Sequence, residues 1–217
     1  MDDAAQKLSR TIWVGVGLVI VILCVSFVLS QYDPKKRIPA PPVLSQVADF
    51  SLTNQLGEPV SLANLRGHVW VADIIFTSCA GPCPQMTKHM RALQDALPAK
   101  STAQLITLTT DPGTDKPEVM MKYAERFGAN PQRWQFLTGE KIQIVGLAVD
   151  SLKMIAVEKK PEERTDPADL FIHTTSFMVV DKKGQLRAKI ETTGEGIDFT
   201  KIMPDLLALI RQLEQEK

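Results

Sequence analysis

Two cysteines, Cys79 and Cys83, stand four positions apart in Thr77-Ser78-Cys79-Ala80-Gly81-Pro82-Cys83-Pro84. A thiolate is both the nucleophile of disulfide exchange and a ligand for soft metal ions, so the pair is equipped for either chemistry. Each proline disfavours helical backbone in the residue before it, which predicts extended geometry at Gly81 and Cys83. Pro84 suits the first turn of a following helix. Both thiols then lie on a loop that ends at a helix N-terminus, where free N–H groups favour thiolate over thiol. Small buried cysteines without chemistry are the competing reading. Against it, the chain has only 3 cysteines, and these two share one Gly/Pro loop.

The 3 histidines separate less clearly. His68, in Arg66-Gly67-His68-Val69, reads as a turn residue, and His89 as a surface or rim residue of the helix after the cysteine loop. His173 lies in Phe171-Ile172-His173-Thr174-Thr175-Ser176, a segment with no other ionisable group, just ahead of a predicted strand. On these residues alone it serves equally as a structural histidine or a ligand. Two thiolates and one imidazole suit copper, since thiolates select Cu(I) and imidazole accepts either valence. Zinc takes the same donors but normally wants a fourth. Met86 and Met90 offer thioether sulfur, yet their i, i+4 spacing on an amphipathic helix reads as packing.

The elements that must position these residues alternate between strands and helices. Val69 to Phe76 is a short apolar run suited to a central strand, and Pro84 to Leu97 has helical spacing with Met86, Met90, Leu93 and Leu97 on one face. A hairpin is predicted from Phe50 to Leu62, strands at Leu105–Leu108 and Trp134–Leu137, and helices at Lys116–Phe127 and Lys141–Val149. Asp115 is the expected N-cap of the helix from Lys116, with Pro117 in its first turn and Gly128 closing it. Phe177–Val180 and Leu186–Ile190 flank a turn at Asp181-Lys182-Lys183-Gly184, and a last helix, preceded by Gly196 and Asp198, runs to about Glu216 with Pro204 marking a kink or a late start. Together these give an α/β fold with a mixed central sheet flanked by helices.

The chain has 217 residues, with 25 Lys+Arg against 25 Asp+Glu. That balance excludes an electrostatic nucleic-acid binder, which needs a basic excess. Ordinary apolar content excludes disorder. The cysteine count excludes a disulfide-stapled scaffold. From Ile12 to Leu29 there is no charge and one serine, a run of roughly 27 Å as a helix, close to a bilayer's hydrocarbon thickness. Trp13 and Tyr32 sit where interfacial aromatics belong. The run exceeds the apolar part of a cleaved signal and lacks a small-residue cleavage site after it, so an uncleaved anchor is expected. The expected organisation is a cytoplasmic N-terminus at 1–11, a single transmembrane helix at 12–30, a proline-rich linker at 31–47 and a domain at 48–217. Lys35, Lys36 and Arg37 after the span outnumber Lys7 and Arg10 before it, which by count alone would put the domain in the cytoplasm.

Several motifs occur in order: Phe76-Thr77-Ser78-Cys79 through Cys83-Pro84; Thr110-Asp111-Pro112-Gly113-Thr114-Asp115-Lys116-Pro117; Lys122-Tyr123-Ala124-Glu125-Arg126-Phe127; Trp134-Gln135-Phe136-Leu137-Thr138-Gly139; and His173-Thr174-Thr175-Ser176-Phe177 before Asp181. In these the chain resembles the Sco/SenC family, copper-binding proteins of thioredoxin-like fold that serve assembly of the dinuclear copper centre of cytochrome c oxidase. The resemblance covers roughly residues 45–215. It implies a thioredoxin-like fold, with Cys79, Cys83 and His173 as copper ligands for Cu(I), Cu(II) or both. Asp111 and Asp115 match its D-P-x-x-D segment, where they support the site or a partner surface, or only cap the helix. Ala80-Gly81-Pro82 departs from the C-P-x-x-C-P form of many members, which touches the loop's stiffness and not its ligands. The implied partner is the copper-binding subunit of the oxidase, with other copper chaperones or thioredoxin-like reductants beside it. The family's domain works outside the cytoplasm. The resemblance therefore implies N-in orientation in a bacterial inner membrane, with the domain in the periplasm. The implied function is a copper metallochaperone. A thiol–disulfide oxidoreductase using a redox-active Cys79–Cys83 disulfide, or a copper or redox sensor, are the alternatives.

Overall fold

The computed structural model describes residues 2–31, 41–160, 162 and 171–216, and the side chains of 10, 12–26, 41–160, 162 and 174–216. The chain divides into two compact units, Met1–Ala40 and Pro41–Lys217. The first contains α1 (Asp2–Gln31), whose apolar side chains from Ile12 to Val25 stand exposed. Among the described residues, no helix is long and apolar enough to cross a membrane. The expected spanning segment at 12–30 therefore appears as a helix and is not shown to cross a membrane, its described side chains ending at Ser26. Most of the expected linker, with Tyr32 and the basic cluster Lys35–Arg37, lies outside the described residues.

The second unit is built around β4 (Trp70–Ile75), every residue of which is buried. Its alternation divides two cores. Val71 and Ile75 join a core with side chains of α3 (Cys83–Ala96), α4 (Pro117–Arg126) and α6 (Phe199–Gln215). Trp70, Ala72 and Ile74 join the other, with β2 (Ser51–Thr53), β3 (Pro59–Ser61), α2 (Leu62–Leu65) and α5 (Lys141–Val145). A strand covered on both faces must be apolar on both, which is why its sequence reads as an unbroken run. Asp73 is the exception.

The six-stranded mixed sheet has β1 (Ser45–Gln46) at one edge, then β10 (Gln185–Glu191), β9 (Ser176–Val180), β4, β5 (Gln104–Thr109) and β6 (Trp134–Leu137). β4, β5 and β6 run parallel, joined through α3 and α4, while β9 lies antiparallel to β4 with Trp70 opposite Val180 and Ala72 opposite Met178. The expected turn between β9 and β10 is present. Asp181 Oδ1 accepts from the Lys183 and Gln185 N–H groups at 2.9 Å, and Gly184 takes φ of +77°. A further pair, β7 (Ala156–Glu158) with β8 (Phe171–His173), forms a separate two-stranded sheet.

Three local expectations change. Lys116, not Asp115, is the N-cap of α4. The expected helix from Lys141 to Val149 is α-helical only to Val145 and continues as a π-helical turn from Gly146 to Ser151, because Leu152 N–H reaches back to the Leu147 carbonyl at 2.9 Å. α6 runs unbroken through Pro204, its first turn held by Asp198, whose Oδ1 accepts from Thr200 N–H and Oγ1.

Candidate metal and thiol site

The cysteine loop leaves the carboxyl end of β4 and closes at once into α3. Pro82 is the N-cap, with φ −75° and ψ −21°, and its carbonyl accepts from Gln85 and Met86 N–H at 3.0 Å. Cys83 is the first helical residue and Pro84 the second. The expected extended geometry at Cys83 is overturned: Pro82 already turns the chain, one residue earlier than the pre-proline preference suggested. Cys79 N–H donates to the Phe76 carbonyl at 3.2 Å, and Gly81 N–H donates to Cys79 Sγ at 3.3 Å. Cys79 is half-buried and Cys83 fully buried; both are thiols, and the two side chains hydrogen-bond one another.

Burial decides the electrostatics. It pushes the Cys83 thiol well above its ordinary range, and the Cys79 side chain and the buried Asp73 push the same way, while the Phe76 backbone opposes them. Desolvation therefore acts against the thiolate that the helix N-terminus was expected to favour at this residue. A soft cation entering the pair must displace that proton. Asp73, on the same face of β4 as Val71 and Ile75, is a buried acid within electrostatic reach of Cys83 that sequence reading passed over. Its only signal was one acid inside Val69-Trp70-Val71-Ala72-Asp73-Ile74-Ile75-Phe76.

Asp115 proves to be a brace for the loop. Its Oδ2 accepts from Thr77 N–H at 3.1 Å and from Thr109 Oγ1 at 2.5 Å, and its Oδ1 accepts from Thr77 Oγ1. It is buried, and burial raises its carboxyl pKa while the bonds from Thr109 and Thr77 act against that rise. Asp111 instead shapes its own turn, its Oδ1 accepting from Thr114 N–H at 3.3 Å and its carbonyl from Asp115 N–H at 2.8 Å.

His173 ends β8, opposite Ala156, and its side chain lies outside the described residues. The topology nonetheless places its backbone. Since β9 runs antiparallel to β4, it begins, at Ser176, at the sheet end where β4 passes into the cysteine loop, and His173 is three residues upstream. The other donors considered are elsewhere. Met86 and Met90 are fully buried as packing residues. His68 Nδ1 meets the Thr102 carbonyl at 3.1 Å, and His89 stacks on Phe199 with centroids 4.3 Å apart. Among the described residues, no cluster of three or more His, Cys, Asp and Glu side chains is assembled to hold a metal.

Residues 41–208 match the SCO1/SenC family, more than half of the chain. The chain belongs to the SCO1/SenC family. The SCO1 protein homolog of Bacillus subtilis (strain 168) is 37% identical over 172 residues, which cover 78% of this chain and 82% of that protein. BsSco, a member of the Sco family of cytochrome c oxidase assembly proteins in which a disulfide switch was identified, superposes with a TM-score of 0.65 at 34% identity, covering 84% of this chain and 100% of that one. The ScoI of Bradyrhizobium japonicum with copper bound shares the fold, with a TM-score of 0.64 at 19% identity over 78% of this chain and 99% of that one. The thioredoxin-like arrangement of this Sco chain, with its mixed sheet, is the family's.

Proposed function

We propose that this Sco protein is a copper metallochaperone that takes copper as cargo on Cys79, Cys83 and His173 and passes it to the copper-binding subunit of cytochrome c oxidase. The observation that carries the reading is the facing pair of thiols at the end of β4, with β9, which starts three residues after His173, beginning at the same end of the sheet. Three donors leave a soft ion under-coordinated, so an incoming ligand set has room to take it. A Cys79–Cys83 disulfide would remove two donors at once, which couples loading to thiol redox state.

The test is anaerobic Cu(I) and Cu(II) titration of the full chain in mild detergent. Cys79→Ser, Cys83→Ser and His173→Ala should each weaken binding by more than about 100-fold, beyond the usual effect of a supporting residue. Undiminished affinity in His173→Ala would refute the proposed ligand set.

A second reading, a thiol–disulfide oxidoreductase, is favoured by the unequal exposure of the pair. Cys79, half-exposed, would attack a partner's disulfide and form a mixed disulfide; the buried Cys83 would then attack Cys79, releasing the partner as a dithiol and leaving a Cys79–Cys83 disulfide. Reduction of the oxidase subunit that persists with copper chelated, and fails in Cys79→Ser, would select this reading over the first.

Residues 12–30 are proposed as the membrane attachment, N-terminus in, with the domain in the periplasm of a bacterium. The uncharged run from Ile12 to Leu29 and the exposed apolar side chains of α1 support this. In a Cys24→Ser background, a membrane-impermeant maleimide should label Cys79 in intact spheroplasts; labelling only after lysis would overturn the orientation.

A further inference from the structure

Behind the cysteine pair lies a chain of buried hydroxyls. Thr87, one helical turn after Cys83 in α3, is fully buried, and its Oγ1 donates to the Cys83 carbonyl at 2.9 Å. A carbonyl only accepts, so this bond uses the single proton of the Thr87 hydroxyl. The 2.9 Å contact between Thr87 Oγ1 and Tyr123 Oη is therefore donated by Tyr123. The order is Tyr123 O–H to Thr87 O–H to Cys83 O=C, running from α4 across to the residue that carries the buried thiol.

The chain's origin is firmly held. The Tyr123 ring packs against Phe127, centroids 4.8 Å apart, and meets Phe136 edge-on at 6.2 Å. Burial pushes its phenol pKa up, so it remains a donor at neutral pH, and it lies within electrostatic reach of Cys83, Asp73 and Cys79. Pro84 has no N–H to give, and the loop before it is anchored through Asp115 on the far side of Cys79.

We propose that Thr87 and Tyr123 are positioning residues for the Cys79–Cys83 pair, locking the first turn of α3 to α4 so that the Cys83 sulfur faces Cys79. This rests on the pair being the metal- and redox-active site. Both bonds are made with the two side chains as a hydrogen-bonded dithiol, so a shift of Cys83 toward disulfide geometry would act against them, and they hold two sulfur donors ready for an incoming ion. Such support is neither a ligand nor a reactant; its effect is on where Cys83 stands.

The test uses the full chain in mild detergent, equilibrated with reduced and oxidised dithiothreitol. Oxidation moves two electrons and two protons from Cys79 and Cys83 to the oxidised reagent, so that one S–S bond forms and one breaks. Thr87→Val removes both hydrogen bonds, Tyr123→Phe removes the phenolic donor and keeps the ring, and Thr87→Ser keeps the hydroxyl. Thr87→Val should shift the equilibrium toward the disulfide by about fivefold, the worth of a buried hydrogen bond. Tyr123→Phe should shift it in the same direction by less, and Thr87→Ser should restore the wild-type value. Copper affinity should fall about tenfold in Thr87→Val. A lower melting temperature with unchanged dithiol equilibrium and copper affinity would overturn the proposal, leaving these residues as packing. So would Thr87→Ser behaving like Thr87→Val. Should the wild type bind no copper while the dithiol equilibrium still shifts as described, the positioning role stands and the copper reading alone falls.

Discussion

Asp115 holds Thr77 by both its backbone N–H and its hydroxyl, two positions before Cys79, and holds Thr109 at the end of β5. Replacing it by alanine leaves three donors short of an acceptor, the Thr109 hydroxyl fully buried and the two of Thr77 partly so. Asp115→Ala should cost about 2 kcal/mol in denaturant unfolding and weaken copper binding by freeing the loop. The carboxyl also makes a pH-dependent contribution. Its folded pKa is raised above its unfolded value, so the folded state binds the proton more tightly, and the resulting stability is present below the unfolded pKa and lost as pH rises through the folded one. Measured against Asp115→Asn, which lacks this titration, the wild type should gain relative stability on acidification from neutral pH toward the ordinary carboxylate range. A gap that stays flat or narrows would refute the sign. The sequence made the cysteines legible, since few residues do their chemistry and a Gly/Pro loop is a poor place for packing. It could not separate a buried brace from a helix cap at Asp115, because both roles want an acid just before a helix. Thr87 and Tyr123 were hidden for a similar reason, since helical spacing puts both on a core face where their hydroxyls carry no signal.

The longer elements were legible because each has a periodic apolar face or an unbroken apolar run; β4, α3, α4 and β6 lie within one residue of where the pattern predicts them, and α6 ends within one of its predicted end. Among the short ones the β2–β3 hairpin was legible, its two apolar pairs flanking Gly57 and Pro59, and others were not. β1, β7 and β8 are two or three residues each, and what makes them strands is the partner across the ladder, which no local pattern announces. α4 shows how far a local rule can carry. Gly128 follows its last residues with φ of +67°, and a Cβ there would stand 1.9 Å from an Arg91 guanidinium nitrogen that donates to the Gly128 carbonyl at 2.6 Å. The left-handed backbone costs an alanine about 1–2 kcal/mol before Arg91 moves. Gly128→Ala should therefore lower the denaturant midpoint by that much or more, while the dithiol equilibrium of Cys79 and Cys83 stays at its wild-type value. A neutral substitution would mean that the α4 terminus relaxes freely and that Arg91 contributes nothing to the join between α3 and α4.

Arg187 draws together three distant parts of the second unit. Its Nη1 meets Asp181 at 2.8 Å and Glu216 at 2.7 Å, and its Nε and Nη2 donate to the Pro41 carbonyl at 3.0 and 2.7 Å. The first residue of the second unit, the β9–β10 turn and the end of α6 are thus fastened to one guanidinium whose side chain is 6% exposed. This fastening lies away from the chemistry. The Asp181 turn follows the far end of β9, whereas β9 begins beside the cysteine loop. Removing the guanidinium strands two carboxylates and a carbonyl in a poorly solvated place, so Arg187→Met should cost about 3–5 kcal/mol in denaturant unfolding. Amide exchange should rise at Leu44, whose N–H reaches the Leu186 carbonyl at 2.8 Å, and at Glu216, whose N–H reaches Gln212 at 3.2 Å. Among molecules that remain folded, the Cys79–Cys83 equilibrium and copper affinity should match the wild type. A variant that kept its stability would show that Asp181 and Glu216 find water once the arginine is gone. A variant that lost copper affinity instead would mean that the point where the linker joins the domain is coupled, through β9 and β10, to the site at the opposite end of the sheet.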